Sequence, residues 1–358
     1  MSNKIRSIIV GTGKFVPNRV VKNSDFLDHT FFEKDGSPQL RKNIDAINKF
    51  QSITDIEERR YSEDKYVTSD LAYFAAKEAL ETAGISGEEL DYIIIAHNFG
   101  DVKAGQNRTD MVPTLASRVK FKLGIENPDC VAYDLPFGCP GWLQGMIQAD
   151  YFIKSGDAKK VMVIGAETLS RVIDPHDKDS MIYADGAGAT ILAASDGSAG
   201  IISHKAQSHT LNQAWFLQMG CSSNTEYAVK NDLFLKMDGR KVYEYALTHV
   251  PLVMKATLEK AGLTPDKVKK VLVHQANGKM DDAILKRFFK LYDVDNPPST
   301  VMPMTIAKLG NSSVATVPTL LDMILKNEME GHALETGDVA IFVSVGAGMN
   351  INALVYQF

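Results

Sequence analysis

A cysteine, a histidine and an asparagine stand on three separate loops of this chain: Cys139 in Phe-Gly-Cys-Pro-Gly, His274 in His-Gln-Ala-Asn and Asn311 in Gly-Asn-Ser-Ser. A thiolate is a strong nucleophile, so a cysteine with a dispersed histidine and asparagine is a candidate for covalent thiolate chemistry. Cys139 lies between an apolar run ending near Asp134 and a helical run that opens with Pro140-Gly141, which predicts the thiol at the helix N-cap. The positive end of a helix lowers a thiol pKa and favours the attacking thiolate. Gly138 and Gly141 imply a close backbone approach on either side. His274 closes the apolar run Val271-Leu272-Val273 and is followed by polar Gln275 and Asn277. That places it at the carboxyl end of a strand, where α/β folds collect ligands. Asn311 follows Leu309-Gly310 and precedes a helix. Each residue also has a plainer reading, as a small buried hydrophobe, a core-edge histidine and an ordinary N-cap. Only the combination singles them out. Cys130 and Cys221 lack any such setting and read as structural.

The elements that must position these groups alternate along the chain. Strands are expected over 5–10, 92–96, 130–134, 161–165, 189–194, 271–273, 340–345 and 351–355, and helices over 68–83, 114–123, 142–155, 243–261, 283–292 and 314–327. Strands this apolar on both faces belong between helical layers. The order also repeats. Residues 78–100 align with 256–278, Ala83-Gly84 falling on Ala261-Gly262, and 156–166 align with 337–347. Two similar α/β halves, 1–197 and 198–358, are expected from this duplication. In its register Ala96 takes the place of His274. The nucleophile then comes from the first half, the histidine and asparagine come from the second, and the active site lies between them.

With 358 residues, 45% hydrophobic and 23% charged, the chain has material for one large core or two similar domains. The apolar stretch at Ile8, Ile9 and Val10 is too brief for a signal segment, and no apolar run approaches membrane-spanning length. Three cysteines at these spacings fit neither a disulfide framework nor a metal site, and a reducing cytoplasm is the natural setting. A net charge of -5 argues against general nucleic-acid binding.

In combination the motifs resemble the ketoacyl synthase III group of the thiolase superfamily over essentially the whole chain. The resemblance is carried by Gly11-Thr12-Gly13-Lys14-Phe15-Val16-Pro17, Ile56-Glu57-Glu58-Arg59-Arg60, the Cys139 loop, Asp185-Gly186-Ala187-Gly188-Ala189, His274-Gln275-Ala276-Asn277, Gly310-Asn311-Ser312-Ser313 and Gly346-Ala347-Gly348. It implies a five-layered αβαβα fold, a homodimer, and a Cys139, His274, Asn311 triad that condenses an acyl thioester with a malonyl thioester. No tightly bound cofactor is implied, because phosphopantetheine of coenzyme A or of acyl carrier protein bears the substrates. The acyl group would pass to Cys139. Loss of carbon dioxide from the malonyl unit would give an enolate held by hydrogen bonds from His274 and Asn311. By position in the resemblance, the backbone amides of Cys139 and Ala347 would form the oxyanion hole.

The loop Ser344-Val345-Gly346-Ala347-Gly348-Met349 carries no second cysteine, which separates this chain from degradative thiolases. Retention of Cys139 separates it from noncatalytic partner subunits. Departures are concentrated near the entrance. Positions that hold a Trp and an Arg for the coenzyme A nucleotide in housekeeping enzymes fall near Lys49 and at Ile53, and a usual Gly is Asp55. The longer segment 27–47, with Phe31 and Phe32, and the longer stretch 101–111 point to a remodelled entrance or acyl pocket, and Pro140 replaces a usually smaller residue. Lys279, Lys286, Arg287 and Lys290 form a basic cluster that reads either as a solvated face or as a dock for acidic acyl carrier protein. Asn277 would line the pantetheine tunnel, and Lys178 is a candidate phosphate contact. Acyl transfer from Cys139 to an amine or hydroxyl, or a noncatalytic acyl-binding role, are the competing functions.

Overall fold

The computed structural model describes residues 5–229 and 231–358. Two sheets organise them. In spatial order the first runs Arg6–Phe15, Asp185–Ser195, Lys160–Thr168, Tyr92–His97 and Val131–Pro136. The second runs Gly200–Ser208, Asn350–Gln357, Val339–Gly346 and Val268–Val273. Each sheet starts with two antiparallel pairings and continues in parallel. The second therefore copies the first strand for strand and stops one short. Where a fifth strand would lie, the Val271 N–H donates to the Val301 carbonyl at 2.8 Å. The aligned glycines behave alike too, Gly84 and Gly262 taking φ of 64° and 71° just past the ends of corresponding helices.

Alternation of side chains across each strand gives both sheets two apolar faces. Between the sheets lie Gly141–Ser155 and Thr316–Leu325, whose Trp142, Met146, Leu320 and Leu321 share one cluster with Val163 of the first sheet and Phe342 of the second. Thr68–Ala83 and Leu115–Lys122 cover the outer face of the first sheet through Ile93, Ile95 and Ile164. Gly239–Lys260 and Gly278–Lys290 cover the second through Val271, Ile341 and Val343. The stack is αβαβα, the fold that the sequence resemblance implies. No helix among the described residues is long and apolar enough to cross a membrane.

Several elements are not apparent from apolar runs. The helix expected from 243 begins at Gly239, because the Asp238 side chain accepts from the Lys241 N–H and caps it. Likewise the helix expected from 283 begins at Gly278 under the cap of Asn277, whose Oδ1 accepts from Met280 N–H at 3.0 Å. Gly200–Ser208 is an edge strand with a half-polar face, and Asn43–Thr54 is a helix that begins within the long segment 27–47 and runs past its end. Phe31 does not line an acyl pocket; it is buried with Val21, Phe26, Ile47 and Met181. Phe32 packs edge-on against His176 at 5.5 Å.

That small cluster surrounds a fully buried arginine. Arg59 donates from Nε to the Met181 carbonyl at 3.0 Å, from Nη1 to the Val21 carbonyl at 3.1 Å and from Nη2 to Asn23 Oδ1 at 2.7 Å. Its guanidinium also lies 5.0 Å from the Phe26 ring centre. Burial pulls its pKa down to about 10, so the group stays charged at neutral pH. Arg59→Met leaves three buried acceptors without their donor and is expected to lower stability by about 3 kcal/mol or more, read as a fall in the denaturation midpoint.

Candidate active site

The fold brings the three loops together. Cys139, His274 and Asn311 line one narrow inner cavity with Asn98, Ser313 and Ala347. Cys139 follows the strand Val131–Pro136, and the Gly141 N–H closes a tight turn onto the Gly138 carbonyl at 2.7 Å. The helix then begins at Gly141 with Pro140 as its N-cap, so Cys139, predicted at the cap, stands one residue before it. Pro140 occupies the turn with φ -73° and ψ 1°, which displaces the helix start by one residue. A Cβ added to Gly138 would lie 2.6 Å from Ala347 N, and one added to Gly346 would lie 2.6 Å from Cys139 N. The Cys139 loop and the C-terminal glycine loop thus touch backbone to backbone, with the Cys139 and Ala347 amides in that contact. Cys139 itself is half-buried, but protein encloses the thiol. Removal from bulk water pushes its pKa up to about 11, with the Ser313 hydroxyl opposing and the Glu167 carboxyl adding to the rise.

His274 directly follows the strand Val268–Val273, as its sequence position predicts, and its N–H donates to the Val343 carbonyl at 2.8 Å. Burial pulls its pKa down to about 4, so the imidazole is neutral at physiological pH. Its buried Nδ1 has no hydrogen-bond partner among the described residues. Asn311 is not a plain N-cap. Its N–H donates to the Ile182 carbonyl at 2.9 Å, and its carbonyl accepts from Ala184 at 2.8 Å. Its Oδ1 accepts from the Ser313 N–H at 2.8 Å, which fixes the amide so that Nδ2 remains the available donor. The preceding Gly310 has φ of 67°, and a Cβ there would lie 2.8 Å from the Arg59 Cβ. Only glycine fits. Buried Arg59 thereby abuts the loop that presents Asn311.

Three further residues belong to the site. Ser313, itself in the left-handed region at φ 54°, donates from Oγ to Cys139 Sγ at 3.4 Å. Asn98 Nδ2 donates to Ser313 Oγ at 3.0 Å, and the Asn98 N–H donates to Glu167 Oε1, also at 3.0 Å. The Gly-Asn-Ser-Ser motif contains Ser313, but no local pattern marks Asn98 or Glu167. The apolar wall is also new, since Leu217 and Leu235 come from the hairpin Leu217–Gly220/Phe234–Met237. Among the other cysteines, Cys130 is buried, whereas Cys221 is exposed and so is not a packing residue.

An outer cleft of about 810 Å³ leads towards the inner cavity, sharing Met237, Val242, Ala276 and Met280 with it. Its lining includes Asn277 and Lys178, as well as Lys49 and Ile53 from the altered nucleotide-contact positions. Glu33, Gln39 and Arg41 place the long segment 27–47 at its mouth. Lys178 is paired with Glu33 at 2.8 Å, and the Asn277 side chain is engaged in its helix cap. Lys279, Lys286 and Arg287 stand exposed on the adjoining helix, outside the cleft lining. Lys286 pairs with Asp282 at 2.6 Å, which partly neutralises the basic face, and Arg287 donates to the Leu247 carbonyl at 3.0 Å.

The chain matches the family described as 3-Oxoacyl-[acyl-carrier-protein (ACP)] synthase III over residues 133–210, and the C-terminal region of the same family over residues 258–358. It is 31% identical to the beta-ketoacyl-[acyl-carrier-protein] synthase III 1 of Halalkalibacterium halodurans, covering 99% of each chain. It is 30% identical to the corresponding protein of Bacillus anthracis, covering 98% of each. A crystal structure of the synthase III of Thermus thermophilus superposes with a TM-score of 0.80 at 28% identity, covering 98% of each chain. With its αβαβα stack and with relatives matched end to end, the chain belongs to the 3-oxoacyl-[acyl-carrier-protein] synthase III family.

Proposed function

We propose that the protein condenses an acyl thioester with a malonyl thioester, with loss of carbon dioxide, to give a 3-oxoacyl thioester that initiates fatty acid or polyketide-type synthesis. The observation that carries this reading is the convergence of Cys139, His274 and Asn311 on one cavity reached from a large cleft. The acyl carbonyl is attacked by the Cys139 sulfur and its thiol carrier leaves. In the second half-reaction the malonyl carboxylate departs as carbon dioxide, and the resulting enolate attacks the acyl-Cys139 carbonyl. Decarboxylation supplies the carbanion without a base, so neutral His274 and the oriented Asn311 Nδ2 act as hydrogen-bond donors to the enolate oxygen. The Cys139 and Ala347 amides are assigned to the oxyanion of the tetrahedral intermediate. No tightly bound cofactor is needed, and a free thiol nucleophile suits the reducing cytoplasm.

The supports extend to partners. The halves 1–197 and 198–358 are assigned as the nucleophile-bearing and donor-bearing units. Homodimerisation is assigned to the edge strand Val131–Pro136 and the neighbouring exposed Met111 and Val112, 43% and 87% exposed. Acyl carrier protein is assigned to the face bearing Lys279, Lys286 and Arg287, with Lys178 and Asn277 along the pantetheine route. Replacing Lys279, Lys286 and Arg287 together by Glu is expected to raise KM about tenfold for a carrier-bound malonyl donor and to leave KM for a coenzyme A thioester unchanged. Equal effects on both donors would remove the docking role.

The direct test incubates the protein with a panel of acyl thioesters on coenzyme A and on carrier protein, followed by peptide mass spectrometry and product analysis with a malonyl donor. Acyl mass on Cys139 together with a new carbon–carbon bond and carbon dioxide release is the expected result. Acyl-Cys139 whose group passes only to an amine or hydroxyl would make the protein a plain acyltransferase, and a folded protein that no donor labels would make it a noncatalytic partner.

A further inference from the structure

Among the described residues, Tyr183 is the one polar side chain lining the inner cavity that has neither a hydrogen-bond partner nor a part in the condensation. Asn98 and Ser313 bond each other at 3.0 Å, Ser313 reaches Cys139 Sγ, and His274 and Asn311 are assigned to the enolate. Tyr183 is only 4% exposed, and it packs with Ile56, Leu169, Val172 and Ile182. Its place is fixed through Asn311. The Asn311 N–H donates to the Ile182 carbonyl, and the Asn311 carbonyl accepts from the Ala184 N–H. Tyr183 therefore stands directly across from Asn311, as in a parallel strand pair. Residues paired in this way project to one side, which puts the phenol beside the Asn311 amide at the cavity wall.

We propose that Tyr183 selects the acyl group that Cys139 accepts, its hydroxyl bonding an uncharged oxygen, a hydroxyl or a carbonyl, that the acyl chain carries beyond the thioester. This rests on the reading of Cys139 as the nucleophile. A buried hydroxyl without a partner has given up its water for nothing, and a substrate oxygen restores the lost bond. Burial pushes the pKa of the phenol up, so it stays protonated and able both to donate and to accept.

The rest of the cavity decides what kind of oxygen fits. Leu169, Leu235 and Met237 share an apolar cluster with Tyr183 and also line the cavity, which suits the carbons of the chain. No lysine or arginine is among the described residues that line it, and His274 is neutral. An ionised acyl carboxylate would therefore be buried without a counter-charge. A hydroxyl or oxo group carries no such cost. The cavity is also small, about 40 Å³ against about 810 Å³ for the outer cleft, so an oxygen on a short acyl chain lies within reach of its walls. An unsubstituted chain would leave the phenol unpaired. Sites built to bond a substrate hydroxyl discriminate strongly against the analogue that lacks it.

The test measures the second-order rate constant for acylation of Cys139, without a malonyl donor, read by peptide mass spectrometry. The donors are butyryl, both enantiomers of 2- and 3-hydroxybutyryl, acetoacetyl and succinyl, each as its coenzyme A and its carrier-protein thioester. At least one hydroxy- or oxo-acyl donor is expected to exceed butyryl about tenfold or more, and succinyl is expected not to exceed it. In Tyr183→Phe that ratio should fall towards about one. The variant should also be at least as stable as the wild type, because it loses a hydroxyl that has no partner. Butyryl labelling as fast as every hydroxy- or oxo-acyl donor, faster labelling by succinyl, or a ratio unchanged in Tyr183→Phe overturns the role of Tyr183 and leaves Cys139 as nucleophile. A defect of the variant confined to the malonyl half-reaction does the same. So does a fall in its denaturation midpoint or a failure to fold, which would give the hydroxyl a partner other than the substrate. If no thioester, acetyl included, labels Cys139 in the wild-type protein, both readings fall.

Discussion

Cys139→Ala is expected to remove condensation entirely, a loss of at least about 10³-fold, because no second cysteine lines the inner cavity to accept the acyl group. The fold should survive, since the alanine fills almost the same volume within a turn whose shape is set by the Gly138 to Gly141 hydrogen bond. The informative part is what persists. His274 and Asn311 remain in place, so slow decarboxylation of the malonyl donor should continue without product formation. Carbon dioxide release measured beside 3-oxoacyl product reads the two half-reactions separately. Simultaneous loss of both in a well-folded variant would mean that the donors need the acyl-enzyme to be assembled.

The converse separation is expected at the donors. His274→Ala and Asn311→Ala should each lower the decarboxylation rate about 10²–10³-fold, equivalent to about 2.7–4 kcal/mol, while Cys139 still takes up an acyl group. Both donors address one enolate oxygen, so the double variant should cost less than the product of the single effects. The pH dependence follows from the direction of the His274 shift. A histidine pulled down to about 4 is neutral throughout the physiological range, so this residue should contribute an acid limb only as pH falls towards 4. Its effect on stability has a definite sign. Between 6.5 and about 4 the unfolded chain binds a proton at this histidine that the folded protein does not, so stability should decline as pH falls through that window. In His274→Ala that portion of the slope should disappear.

The sequence was most legible where one cause dominates. Buried strands such as Tyr92–His97 and Val339–Gly346 stand out because helices cover both faces, and Thr68–Ala83 ends at the glycine that its periodicity and Gly84 predict. The Cys139, His274 and Asn311 loops were also legible, since each sits at an element boundary with a glycine or polar neighbours nearby. What escaped depends on contacts distant in sequence. Glu167 looks like one polar residue closing a strand, and only folding brings it to Asn98. The hairpin bearing Leu217 and Leu235 is short and partly exposed, so its role as a cavity wall has no local signature. The thiol's elevated pKa likewise reflects enclosure by residues from both halves, which no local stretch of sequence announces.

The helical layer between the sheets has an electrical consequence as well as a mechanical one. Gly141–Ser155 starts two residues after Cys139, and the short turn leading into Thr316–Leu325 starts two residues after Asn311. Both buried helices therefore run away from the same cavity and leave their positive ends towards it. In the proposed reaction that field favours each anion formed, first on sulfur and then on the thioester oxygens. Catalytic polarity is thus tied to the tertiary fit of the two sheets. Any change that tilts the shared layer would detune the field without touching a reacting group, and would be felt as slower chemistry before it was felt as unfolding.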